Sequence, residues 1–214
     1  MTASGARPIR YGSPSTDPPS PAGIPELRRR LRERARATID DAGARRAAVL
    51  VPIVATADDA LDLLCFERSH EVLEHKGEIC LPGGSIERLD AGPVEAALRE
   101  ADEELGIAPG DVDVLGLLDD VHTTVSNYVI TPVVGFIARP GKVVCDALEV
   151  ARPISVRLAT LLAQGVESYE LRAPDGTLRT IYAYHVGNDR IWGATARIIH
   201  SMLMLWFGRM EGER

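Results

Sequence analysis

One stretch restricts the fold and chemistry of this chain more than any other. It begins Leu81-Pro-Gly-Gly-Ser and, after a short link, runs Pro93-Val-Glu-Ala-Ala-Leu-Arg-Glu-Ala-Asp-Glu-Glu-Leu-Gly-Ile107. Pro93 sits where a helix tolerates proline, in its first turn, and Gly106 is a natural stop, so the spacing predicts a helix over 93–105. At about 100° per residue, Val94, Leu98, Ala101 and Leu105 share one side and are expected to pack inward. Glu100, Glu103 and Glu104 fall on a different arc about 100° wide. Like charges three and four residues apart repel by a few tenths of a kcal/mol per pair, so this cluster works against its own helix and invites a cation. No His or Cys lies on that arc. Oxygen ligands alone favour Mg²⁺ or Mn²⁺ over zinc. Pro82-Gly83-Gly84 is a tight turn whose bare backbone can approach a phosphate or a metal. Arg99, four residues after Glu95 and four before Glu103, is placed to hold a carboxylate in one orientation. A solvated acidic face is the competing reading of the helix alone; the glycine turn beside it favours a metal-bound diphosphate.

The rest of the chain reads as one domain with appendages, which 214 residues at 45% hydrophobic content can support. Residues 1–25 hold six of the 14 prolines and almost nothing apolar, and are expected to be a disordered tail. Residues 26–46 carry eight arginines among helix formers. They read as a basic, solvated helix packed by Leu27, Leu31, Ala35 and Ile39 rather than as an anion-binding element. Residues 47–210 form the main domain, with strands expected over 47–54, 61–66, 112–121 and 129–138. A helix is expected over 155–163, then two strands around Pro174-Asp175-Gly176, then a closing helix over 194–207. The fold class is α/β (α+β): a mixed-sheet sandwich with helices on both faces. With 24 basic and 31 acidic residues, the net charge of −7 argues against nucleic acid as a partner. Three cysteines read as free thiols in a reducing compartment. The absence of a secretory leader or a run of about 20 apolar residues points to a cytoplasmic protein with no membrane partner.

The run Arg99-Glu100-Ala101-Asp102-Glu103-Glu104-Leu105-Gly106-Ile107 resembles the end of the Nudix box. Asp90 stands where the box has an early Glu, and Gly84 lies one residue further from Arg99 than the strict pattern sets it. That extension is similar to the coenzyme A pyrophosphatase branch of the Nudix hydrolases. Three further stretches resemble this branch: Arg68-Ser69 with His75-Lys76-Gly77-Glu78-Ile79; Leu118-Asp119-Asp120-Val121 with Thr131-Pro132-Val133; and Ile191-Trp192-Gly193-Ala194-Thr195-Ala196-Arg197. The similarity spans about residues 46–208. Leu73 and Leu81 depart from it, standing where the branch usually has Arg and Phe.

The resemblance implies a Mg²⁺- or Mn²⁺-dependent hydrolase that splits the diphosphate of coenzyme A or its thioesters. Another nucleoside diphosphate derivative is the alternative substrate, and a non-catalytic binding module the remoter one. Glu100 and Glu104 are the first choice as metal ligands, with a carbonyl of Gly83 or Gly84 as a further one. Glu103 either completes the metal shell or acts as the base. Arg68 has the planar fork suited to a phosphate clamp, or else pairs with the adjacent Glu67. His75 and Lys76 face substrate phosphates or sit in a solvated loop. Glu149 stands where some family members supply an extra catalytic carboxylate. Trp192 and Arg197 are expected to brace the last helix rather than touch a ligand. The family and the N-terminal extension suggest a homodimer.

Overall fold

The fold is known from a computed structural model that describes residues 7–11, 19–69, 76–123, 126–172 and 176–208. In chain order its elements are β1 (Arg7–Ile9), α1 (Ile24–Glu33), β2 (Arg45–Ala55), β3 (Leu61–Arg68), β4 (Ile79–Cys80), β5 (Gly83–Ser85) and α2 (Pro93–Leu105). They continue as β6 (Asp113–Leu117), β7 (Val121–Thr123), β8 (Tyr128–Ile137), β9 (Val150–Arg157), α3 (Leu158–Gln164), β10 (Val166–Arg172), β11 (Leu178–Val186), β12 (Asp189–Trp192) and α4 (Gly193–Phe207).

The large sheet has the order β4-β3-β2-β8-β6, with β5 also pairing β2, β7 pairing β8 and β9 pairing β3. It is mixed, because β2 and β8 run parallel, Val51 facing Val134, while the other pairs are antiparallel. Its strands are apolar on both faces, and their two-residue period sorts side chains into two cores. Ala48, Leu50, Leu64 and Phe66 pack with Ala96, Ala97, Ala101 and Leu105 of α2. Val51, Ile53, Leu63 and Cys65 turn to the other side, where Leu27 of α1, Leu161 of α3 and Ile199 and Met202 of α4 complete the second core. The expected sandwich with helices on both faces is therefore present.

A second, four-stranded antiparallel sheet, β1-β10-β11-β12, was not expected. Part of it comes from the stretch read as a tail: Arg7–Ile9 pairs with β10, and Tyr11 and Ile24 are buried. The basic helix also differs from its expected 26–46 span. It ends at Glu33, and Arg34 is extended. From there Asp119 and Asp120 hold the chain: Asp119 accepts from Arg34 (2.8 Å) and the Ala37 N–H (2.8 Å), and Asp120 accepts from Arg36 and the Ile39 N–H (3.0 Å). The same two acids break the strand expected over 112–121 into β6 and β7. Leu27 and Leu31 are buried as expected, whereas Ala35 and Ile39 lie outside α1. Arg28, Arg29 and Arg30 are engaged by Asp113, Glu26, Glu33 and the Leu205 carbonyl, which accounts for the basic run without an anion. Residues 155–157 are strand rather than helix, because Ile154 and Val156 alternate inward against β3 and the helix begins only at Leu158. The three cysteines are unpaired. Among the described residues no helix is long and apolar enough to cross a membrane.

Candidate active site

Helix α2 lies close to the large sheet because its inward side is mostly alanine: Ala96, Ala97, Ala101 and Leu105 are fully buried, while Val94 and Leu98 are only partly so. Gly106 ends it in the left-handed region, its N–H donating to the Asp102 carbonyl at 2.9 Å. Glu104 follows Ala97 by two turns and so falls at the edge of the buried stripe, its side chain 3% exposed. A carboxylate in such a place needs a donor. The Gly83 N–H supplies one at 2.8 Å.

Two glycines set the close approach. β5 lies against β2, Gly83 opposite Val49 and Gly84 opposite Ala48. A β-carbon on Gly83 would fall 2.4 Å from the Ala48 carbonyl oxygen, and one on Gly84 would fall 2.5 Å from Glu100 Oε1. The glycine turn thus seats directly on the acidic helix.

Arg99 organises the outer edge. Its guanidinium donates to both oxygens of Asp90 (3.2 Å each), to Glu100 Oε1 (2.9 Å), to Glu103 Oε2 (3.1 Å) and to the Ser85 carbonyl (3.2 Å). Hydrogen bonds from Arg99 and from the Glu87 N–H hold Asp90 below the ordinary carboxylate range. Glu100 and Glu104 shift the other way. Burial raises Glu100 despite Arg99. Burial also pushes Glu104 up to about 8, against the Gly83 N–H and the Arg68 charge, with Glu100 and Glu149 adding repulsion. Arg68 stands 3.7 Å from Glu104 and 3.8 Å from Glu149. Its alternative partner, Glu67, is occupied by Arg152 at 2.7 Å.

These groups line a cavity of about 500 Å³ that brings together Arg68, Gly83, Gly84, Glu100, Glu104 and Glu149. It does not include every expected residue. The Glu103 side chain is 60% exposed and outside the lining, turned to Arg99. Lys76 is exposed on a turn away from it, and His75 lies outside the described residues. Trp192 and Arg197, expected to brace α4, both line the cavity and both are exposed. Tyr128 and His122 also line it and were missed; an aromatic residue opening an apolar strand was the only signal for Tyr128. A second cavity, about 610 Å³, lies at the C-terminal end of α2 around Leu105, Ile107 and Ile137. Asp111 is its one carboxylate, so it lacks the groups this chemistry needs.

Among the described residues no three Asp, Glu, His or Cys side chains converge in a ready-made metal arrangement. The residues present nevertheless suit a hard cation. Two half-buried to buried carboxylates four residues apart, both disfavoured by burial as anions, face a glycine backbone with no side chain between. All the donors are oxygen, which suits Mg²⁺ or Mn²⁺.

Comparison with known proteins agrees with this geometry. Residues 44–144 match the family profile described as NUDIX domain. A protein of Pectobacterium atrosepticum named "Uncharacterized Nudix hydrolase NudL" is 36% identical over 161 residues, spanning 75% of this chain and 82% of that protein. Its namesake in Escherichia coli strain K12 is 34% identical over 164 residues, spanning 75% and 82%. Among solved structures, a MutT/nudix family protein from Enterococcus faecalis superposes with a TM-score of 0.53 at 14% identity, covering 87% of this chain and 74% of that one. That last likeness is one of fold.

Proposed function

The chain belongs to the Nudix hydrolase family and is a pyrophosphohydrolase, and on that premise we propose that it splits the diphosphate of coenzyme A or its thioesters with the help of Mg²⁺ or Mn²⁺. The products are adenosine bisphosphate and (acyl-)phosphopantetheine. The observation that carries this reading is the pair of half-buried Glu100 and buried Glu104 seated against Gly83-Gly84 with Arg68 in the same cavity. The choice of coenzyme A is supported by where the branch-like stretches fall: Arg68, Trp192, Thr195 and Arg197 all line that cavity.

A diphosphate repels an incoming hydroxide, so the site must offset charge and activate water. When bound, the divalent ion neutralises phosphate charge and lowers the pKa of a water. The residues of the chain do the rest. Glu100 and Glu104 hold the ion, and Arg99 fixes the orientation of Glu100 through its 2.9 Å bond. Arg68 takes a phosphate oxygen through its planar fork. As the water oxygen bonds to phosphorus and the bridging P–O bond breaks, one proton must leave the water. Glu149, at the cavity edge, is better placed to accept it than Glu103, which lies outside the lining. Glu103 instead anchors Arg99.

The test is product analysis after incubation with coenzyme A, dephospho-coenzyme A, ADP-ribose and NADH in Mg²⁺. The expected result is cleavage of coenzyme A to the two monoester products at a kcat/KM above that for the dephospho form. Equal cleavage with and without the 3′-phosphate overturns the coenzyme A reading in favour of another nucleoside diphosphate derivative. No cleavage of any of them overturns the catalytic assignment.

A further inference from the structure

The two sides of the catalytic cavity differ in charge. Its acids, Glu78, Glu100, Glu104 and Glu149, all come from α2 and the segments around β4 and β9. The side contributed by β11, β12 and α4 holds two arginines, Arg179 and Arg197, and no acid. One end is therefore built for a cation and the other for an anion.

Trp192 stands on the anion side. It is the last residue of the edge strand β12 and remains 43% exposed. The chain's other tryptophan, Trp206, is 3% exposed in the core, which is how a Trp kept for packing is placed. Beside Trp192, a β-carbon on Gly193 would meet nothing within 4 Å beyond its own chain neighbours and helix, so the wall at this point is not packed over. β12 packs against β4, the strand leading into the Leu81-to-Gly84 turn, which ties this wall to the catalytic end. Arg197 lies five residues on, in α4. Most of the chain's arginines near acids are paired, as Arg28, Arg36, Arg99 and Arg152 show. Among the described residues none sets a carboxylate or carbonyl against the Arg197 guanidinium.

We propose that Trp192 and Arg197 select the nucleotide end of the substrate, Trp192 by stacking on the adenine and Arg197 by binding the ribose 3′-phosphate. This rests on the coenzyme A reading above and gives it residues. An exposed indole in an open wall is a stacking platform, and base–aromatic stacking contributes roughly 1–3 kcal/mol per base, or about 5- to 150-fold in affinity. A guanidinium with no ion-pair partner among the described residues is suited to a phosphate, where its fork makes paired, charge-assisted bonds.

The protein carries its own reporter, since Trp192 is exposed and Trp206 buried. Titration of the full chain with adenosine 3′,5′-bisphosphate and with 5′-AMP, read by tryptophan fluorescence, is expected to give saturable quenching in the wild type and none in Trp192→Phe. Trp192→Ala is expected to raise KM for coenzyme A about tenfold or more with kcat little changed, and Phe to restore most of it. Arg197→Ala is expected to raise KM for coenzyme A about 10- to 100-fold while leaving that for dephospho-coenzyme A within about twofold. Melting temperatures should stay at the wild-type value, because both side chains are exposed. Wild-type KM in either alanine variant, or equal losses on the two substrates in Arg197→Ala, overturns the assignment even though the enzyme still prefers coenzyme A. A wild type indifferent to the 3′-phosphate defeats the coenzyme A reading and the Arg197 role together. Quenching by 5′-AMP judges Trp192 independently.

Discussion

Adding one methyl group to each of the two adjacent glycines should separate fold from function. At Gly83 the new β-carbon would lie 2.4 Å from the Ala48 carbonyl oxygen and 2.6 Å from Val49 Cα, so it meets backbone of the central strand β2. Neither can move without shifting the β2–β5 pairing. Overpacking of this kind costs typically 1–3 kcal/mol, and contact with backbone puts Gly83→Ala at the upper end, about 3 kcal/mol. For a chain of this length each kcal/mol is roughly 2–4 °C, so the melting temperature should fall by about 6–12 °C. At Gly84 the β-carbon would instead lie 2.5–2.8 Å from the three carboxyl atoms of Glu100. That group is the far end of a flexible side chain and swings away at little cost. Gly84→Ala should therefore stay within about 1 kcal/mol of wild type yet displace a carboxylate proposed to hold the ion. Disturbing ligand placement costs about 10- to 100-fold in metal affinity or activity. Differential scanning fluorimetry and hydrolysis rates across a Mg²⁺ titration read the two effects. A Gly84→Ala protein with wild-type rates at every Mg²⁺ concentration, or a Gly83→Ala protein with an unchanged melt, would contradict these roles for the two glycines.

Two other sites give equally direct expectations. Glu104→Gln should lower kcat by about a hundredfold or more, the scale of losing a cation's charge stabilisation, while its amide oxygen still accepts the Gly83 N–H and keeps the melting temperature. Glu103→Gln, at an exposed position outside the cavity, should cost far less; a larger loss from Glu103→Gln would reverse their roles. Asp120 is buried and accepts from Arg36, Thr131 (2.7 Å) and the Ile39 N–H. Asp120→Ala should cost about 3–5 kcal/mol by leaving that guanidinium without its carboxylate, seen as a lowered denaturant midpoint. Burial opposes the Asp120 charge, but the Ile39 N–H, Thr131 and Arg36 prevail and lower its pKa. Its stabilisation is then present above the unfolded carboxylate value near 4 and is lost as pH falls through the lower folded value. Wild-type stability should drop in that acid range and Asp120→Asn should flatten the drop; identical pH profiles would contradict this.

The parts of the molecule written in short-range pattern were legible from sequence. Helix α2 runs Pro93–Leu105, as its proline, its glycine and its apolar spacing require. β2 and β3 carry their apolar runs because the sheet is covered on both sides. Angular spacing also placed Glu100 and Glu104 together. It could not distinguish Glu103 from them, since what separates the three is depth rather than angle: the alanines draw α2 onto the sheet, and only the side nearest the sheet sinks. Long-range partners were less legible. Asp119 and Asp120 look like part of a site, yet their partners are Arg34 to Ile39, some 80 residues earlier. Trp192 read as a packing residue because an apolar helix follows it; only the placement of β12 at a sheet edge leaves it facing the cavity. Residues 155–157 read as helix because a short apolar run carries no period of its own, and pairing with β3 decided it.

Joint binding of a divalent ion by Glu100 and Glu104 can be checked by anomalous diffraction from crystals soaked in Mn²⁺. A peak is expected within about 2.0–2.3 Å of a carboxylate oxygen from each, beside the Gly83-Gly84 backbone. A peak bound to Glu103 alone, or no peak at this helix under conditions that support hydrolysis, would contradict it.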